Sequence, residues 1–139
     1  MAILKSPLFW LVAVVVFVGV YAIVPKGLEP IKQGPAMVDV TVPELTALQQ
    51  KGEQAFDANC AVCHGANAAG QGEVAPPLIH KIYEPSHHGD VAFVRAAKAG
   101  ARQHHWSFGD MPPVDGISDA EIAVIIEYIR AVQRANGIN

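Results

Sequence analysis

Cys60-Ala61-Val62-Cys63-His64 constrains this chain more than any other segment, because it sets two thiols and an imidazole in one C-x-x-C-H run. On a turn of helix, positions i, i+3 and i+4 share a face, so both sulfurs can bond the vinyl groups of one porphyrin while His64 reaches its iron. That is the pattern by which a c-type haem is attached. Other uses of a cysteine pair fit less well. A thioredoxin-like dithiol needs a βαβ context that the sequence lacks, and a zinc site usually takes four ligands whereas the chain has 2 cysteines. A short-loop disulfide would leave His64 without a task.

At 139 residues the chain has room for one domain and a tail, and its formal charge of −3 gives no reason to expect nucleic acid as a partner. The part beyond the apolar amino-terminal quarter would bury only a modest core unaided. A porphyrin at its centre would supply the missing apolar mass, so folding and haem attachment are expected to be coupled.

Residues 8–24 read LFWLVAVVVFVGVYAIV, without a charge. As a helix, roughly 17 residues span about 26 Å, enough to cross a thin hydrocarbon core. Pro7 and Pro25 can bound it, and Trp10 and Tyr21 sit near its ends, where amphipathic rings favour the headgroups. A cleaved secretory signal is the competing reading, with Val20-Tyr21-Ala22 as a cleavage site, but the apolar stretch is longer than a usual signal core. Residues 1–24 are therefore expected to be an uncleaved N-terminal membrane anchor. Residues 25–43 carry four prolines and two glycines without a sustained apolar period, and read as a linker. Its 19 or so residues would reach roughly 65 Å fully extended and nearer 25 Å when flexible. The alternation of Val38, Val40 and Val42 allows a short strand there instead.

The globular part is expected over residues 44–139. Leu45, Leu48, Ala55 and Phe56 recur at helical spacing in ELTALQQKGEQAFDANC and predict a helix that delivers the chain to Cys60. A second helix is expected in DVAFVRAAKAG, with Asp90 as its cap and Gly100 closing it. The last is the clearest, since Ser118 and Glu121 form a capping box and Ile122, Ile125, Ile126 and Ile129 make one stripe through Arg130. Strand patterns are essentially absent, so the domain is expected to be all-α.

An iron held by His64 has one more axial position. A thioether there favours ferrous iron and raises the potential, a second imidazole lowers it, and a vacancy admits small molecules. Of the three methionines, Met1 opens the chain and Met37 lies in the linker, which makes Met111 in Phe108-Gly109-Asp110-Met111-Pro112-Pro113 the thioether candidate. His80, His87, His88, His104 and His105 remain candidates for a bis-histidine iron.

CAVCH, APPL, FGDMPP and SDAEIAVIIEYIR follow one another as in the class I cytochrome c family, which the chain resembles over about 90 of its 139 residues. The resemblance implies a small helical shell round one covalent haem c, with His64 and Met111 as axial ligands. It also implies a crossing of the first and last helices, with Gly52, Phe56 and Tyr128 at the contact, where a glycine lets backbones approach closely. Pro76 matches the proline whose carbonyl takes the proximal imidazole's proton, with Pro77 as the other candidate. Trp106 and Arg102 lie close enough to Met111 in sequence to contact a haem propionate, or else to pack and to be solvated. His87 and His88 sit in a polar segment and are expected to be exposed loop residues, with a secondary metal or a pH-sensitive contact as the alternative.

A haem with both axial positions filled exchanges electrons and has nowhere to activate a substrate, so an electron-transfer protein is expected rather than an enzyme. The resemblance to exported cytochromes implies the bacterial inner membrane, with the amino terminus inside and the haem domain in the periplasm. From Glu44 onward there are seven Lys and Arg against eleven Asp and Glu, so a ring of lysines does not steer it to partners. Tethering is the alternative route to a high local concentration. The expectation is therefore a membrane-anchored mono-haem carrier, or a subunit of a respiratory or photosynthetic complex. Its redox partners would be a quinol-oxidising cytochrome bc complex and a terminal oxidase or reaction centre. The competing class is a haem-based sensor or peroxidase-like protein in which Met111 is a labile sixth ligand.

Overall fold

In the computed structural model the described residues are 34–139. Thr46 starts the first helix, α1 (Ala47–Asn59), by accepting from the Gln49 N–H at 3.4 Å while Gln49 Oε1 accepts from the Thr46 N–H at 2.9 Å. This capping box was not anticipated, although T-x-x-Q satisfies two of the otherwise unpaired donors of a helix start. The chain bends at Cys60 and makes one further turn, α2 (Ala61–His64). Then come single 3₁₀ turns at Ala66–Ala68 and Lys81–Tyr83, a helix α3 (Asp90–Ala99) and the long α4 (Asp119–Ala135). Among the described residues there are no strands, only isolated bridges pairing Gln71 with Ala75 and Ala101 with Met111. The all-α expectation holds for this part of the chain.

The capping box at Ser118 and Glu121 forms as expected, and α4 buries Ile122, Ile125, Ile126 and Ile129 on one stripe. It crosses α1 so closely that a Cβ added to Gly52 would lie 2.0 Å from the Val124 carbonyl oxygen. Beside that contact the Phe56 and Tyr128 rings pack with centroids 5.7 Å apart. Both rings are fully buried. The helix pair therefore meets backbone to backbone at the glycine and ring to ring one turn on.

Asp90 does not cap α3. Gly89 occupies the cap position without a side-chain bond, and Asp90 turns to Arg130 of α4, accepting from Nε at 2.8 Å. Arg130 is buried, and its other nitrogens donate to the carbonyls of Tyr83 at 2.7 Å and His88 at 2.6 Å and to Gln133 Oε1 at 2.6 Å. Gln133 passes the connection on, donating to the Leu78 carbonyl at 2.9 Å. This network fastens residues 80–90, beyond the buried Leu78 and Ile79, to the last helix. Arg130→Ala is expected to cost about 3 kcal/mol in urea unfolding of the haem-loaded protein, because it takes the donor from the His88 carbonyl and Gln133 Oε1 and leaves the Tyr83 carbonyl to Gln133 alone. Asp90→Asn, at the exposed end of the network, should cost less than about 1 kcal/mol. Equal midpoints for the two variants would contradict this account.

The described part of the segment read as a linker is folded onto the domain. The Met37 and Val38 N–H groups donate to the Ala69 carbonyl at 3.1 and 3.3 Å, and Thr41 exchanges two hydrogen bonds with the Asn136 side chain at 2.9 and 2.8 Å. Val40 and Val42 pack on the core without forming a strand. The partners on offer are the Ala69 carbonyl, the Gly72 N–H and the Asn136 amide side chain, and a ladder needs a neighbouring extended backbone. Residues 1–24, read as the membrane anchor, lie outside the described residues, as do residues 25–33 of the linker. Among the described residues no helix is long and apolar enough to cross a membrane.

Candidate functional site

His64 ends α2 almost fully buried, and its Nδ1 donates to the Pro76 carbonyl at 2.9 Å. Burial pushes the imidazole's pKa down, against the carbonyl bond, which favours the charged form. The ring is thus held neutral with its proton on Nδ1, and Nε2 keeps a lone pair for a metal. Pro77, the other candidate, is fully buried and leaves this bond to Pro76.

His64 lines a cavity of about 390 Å³ together with Cys60, Cys63 and Met111. Its wall is apolar, built from Leu78, Ile117 and the Ile122, Ile125, Ile126 and Ile129 stripe of α4. The Cys60 thiol is pushed up to about 11 by burial and then by Cys63. A redox-active dithiol needs the opposite shift. Two sulfurs, a neutral imidazole and a thioether around one apolar cavity suit a covalently attached porphyrin and its iron.

Met111 is held by its backbone. It exchanges hydrogen bonds with Ala101 in both directions, at 2.9 and 3.0 Å, and Val114 donates to the Ala97 carbonyl of α3 at 2.9 Å. Gly100 permits this neck, since at φ +75° it turns the chain out of α3, and a Cβ there would sit 2.5 Å from the Met111 carbonyl oxygen. Inside the loop, Asp110 accepts from the Gln103 N–H at 2.9 Å and Gln103 Oε1 from the Gly109 N–H at 2.6 Å. The closed neck stiffens this loop up to Met111, and Pro112 and Pro113 restrict the backbone that follows it. Ala101 was missed because a single antiparallel bridge leaves no periodicity in a sequence.

The loop brings Arg102, His104, His105, Trp106 and Phe108 to the cavity. The buried Trp106 Nε1 has no hydrogen-bond partner, although the indole lies near enough to the Tyr83 hydroxyl to offset part of the upward shift that burial gives that phenol. An unpaired donor at the cavity wall suits an acidic group of the occupant. Arg102 lines the cavity and is exposed.

His80, His87 and His88 do not line the cavity. His80 caps the Lys81–Tyr83 turn through the Ile82 N–H and packs edge-on against Trp106. The Nε2 atoms of His104 and His105 face those of His88 and His87, at 3.4 and 3.2 Å. Burial and then the neighbouring His104, His88 and His87 push the His105 pKa down. The imidazoles thus face one another, which leaves Met111 the better placed candidate for the second axial position.

Comparison with family models matches the family described as Cytochrome c over residues 49–133, from within α1 to within α4. No curated protein matches the chain.

Proposed function

Because the chain belongs to the cytochrome c family, whose covalent haem serves electron transfer, we propose that it is a membrane-tethered, mono-haem electron carrier. The observation that carries this reading is the placement of His64 and Met111 on one apolar cavity, the first oriented by Pro76 and the second fixed by the Ala101 neck. When bound, the haem supplies a one-electron ferric/ferrous couple. Cys60 and Cys63 would hold it covalently, and His64 and Met111 would hold its iron. The α4 isoleucines give the cavity an apolar wall, and the closed loop limits movement of Met111, so both ligands would stay in place through a change of charge. Trp106 and Arg102 are the donors suited to its acidic edge groups.

The tether and the partners rest on the sequence. The uncharged residues 8–24 suit an anchor in the bacterial inner membrane, with the domain in the periplasm. Donor and acceptor would then be a quinol-oxidising cytochrome bc complex and a terminal oxidase or reaction centre, with the chain as shuttle or subunit. Eleven acidic against seven basic residues from Glu44 onward make a lysine-steered encounter unfavourable. Electron transfer in membranes carrying the whole chain should therefore vary little with salt, and removal of residues 1–24 should slow it sharply. A steep loss with salt that is the same with and without the anchor would contradict tethering.

A further inference from the structure

Four histidines outside the iron site converge from two segments. His87 and His88 stand in the turn before α3, and His104 and His105 in the loop closed by Ala101 and Met111. The nitrogens of His87, His88 and His105 that could ligate an ion all lie within 4.8 Å of one another. His104 packs on this group, its ring 4.3 Å from His105 and its Nε2 3.4 Å from that of His88.

The tautomers sharpen the geometry. His88 Nδ1 is 2.6 Å from the Ile82 carbonyl oxygen and His104 Nδ1 is 2.7 Å from that of Arg102, so both Nδ1 atoms carry protons and donate. In the neutral rings both Nε2 atoms then carry lone pairs, and these face each other at 3.4 Å. Two acceptors so placed repel unless a cation, a shared proton or a metal ion, sits between them. Carbonyl partners on the far nitrogen are how metal-bound imidazoles are commonly oriented. Two nitrogens on one zinc ion at about 2.05 Å, at the tetrahedral angle, stand about 3.3 Å apart. Within the group of three, His87 Nε2 and His105 Nε2 stand 3.2 Å apart, close to that value, and His88 Nε2 has a similar neighbour in His104 at 3.4 Å.

We propose that His87, His88 and His105 form a second metal site, with His104 packed beside it, that binds a divalent late first-row cation, zinc(II) by its spacing. Imidazole is a borderline ligand suited to zinc and copper, and poorly suited to magnesium or calcium. The site is anchored on folded structure, since the His88 carbonyl accepts from the buried Arg130 at 2.6 Å. His104 and His105 also line the cavity, so a bound ion would pin the Met111 loop to the turn before α3.

The test uses the full-length, haem-loaded protein, purified without a polyhistidine tag and stripped with chelator. Zinc(II) is titrated in competition with a chromophoric chelator. One zinc per chain is expected, with affinity lower by at least about tenfold in His87→Ala and again in His87→Ala/His105→Ala, since loss of even an outer partner of a ligand costs that much. His87 does not line the haem cavity, so the haem spectrum of His87→Ala should be that of the parent and report an intact fold. Zinc X-ray absorption, blind to the iron, should show a shell of at least three imidazole nitrogens. No binding, binding unchanged in the double variant, or a shell of oxygens only would overturn the proposal. Because the readout is zinc occupancy, it stands or falls separately from electron transfer.

Discussion

Replacing Met111 by alanine should lower the haem's midpoint potential by on the order of 0.1 V or more, within the span of about 0.8 V that axial ligation covers. A thioether stabilises ferrous iron relative to ferric, and alanine offers nothing in its place. The fold should survive, because the neck that shapes this loop is made of backbone hydrogen bonds between residues 101 and 111 and does not need the methionine side chain. Covalent attachment should survive too, since it depends on Cys60 and Cys63. Redox titration of parent and variant checks the shift. Carbon monoxide supplies the second readout: the reduced variant should bind it promptly at neutral pH, and the reduced parent slowly or not at all. Prompt binding by the parent would mean a labile Met111 and would favour a sensor or peroxidase-like protein over a carrier.

The features legible in the sequence were those with a local or periodic signature. C-x-x-C-H lies within five residues, and the isoleucine stripe of α4 repeats with the helix and starts at a capping box. Gly52, Phe56 and Tyr128 came from resemblance, and the 2.0 Å approach at Gly52 shows the physical need behind it. Features that join distant segments were not legible. Asp90 has the composition of a cap, yet its carboxylate serves a guanidinium forty positions away, because Arg130 is buried and needs an anion more than a helix start already followed by that charge does. The folded part of the supposed linker looked unstructured because its partners, Ala69, Gly72 and Asn136, give no pattern in the linker itself. The histidines looked like scattered loop residues for the same reason, since the pairs are 16 and 18 positions apart and meet only in the folded chain.

The largest effect on stability is expected at Gly52, in the helix crossing that carries one wall of the cavity. Gly52→Ala places a methyl 2.0 Å from the Val124 carbonyl oxygen and 2.8 Å from Tyr128 Cβ. The first of these atoms is helix backbone, which cannot rotate aside as a side chain could, so α1 and α4 must separate. Overpacking usually costs about 1–3 kcal/mol where side chains adjust, and here it should reach or exceed the upper figure. Better helix propensity returns about 1 kcal/mol, too little to change the sign. Against a total of about 5–15 kcal/mol for a domain, the variant is expected to unfold at much lower urea and to accumulate poorly with haem. Gly72→Ala is the control, because a Cβ there meets nothing nearer than 3.8 Å, and its unfolding free energy should stay within about 0.5 kcal/mol of the parent. Similar urea midpoints for the two alanine variants would show that the crossing tolerates separation. Since Ile125, Ile126 and Ile129 reach the cavity from the same helix that Gly52 holds in place, loss of this contact should also loosen the haem's apolar wall.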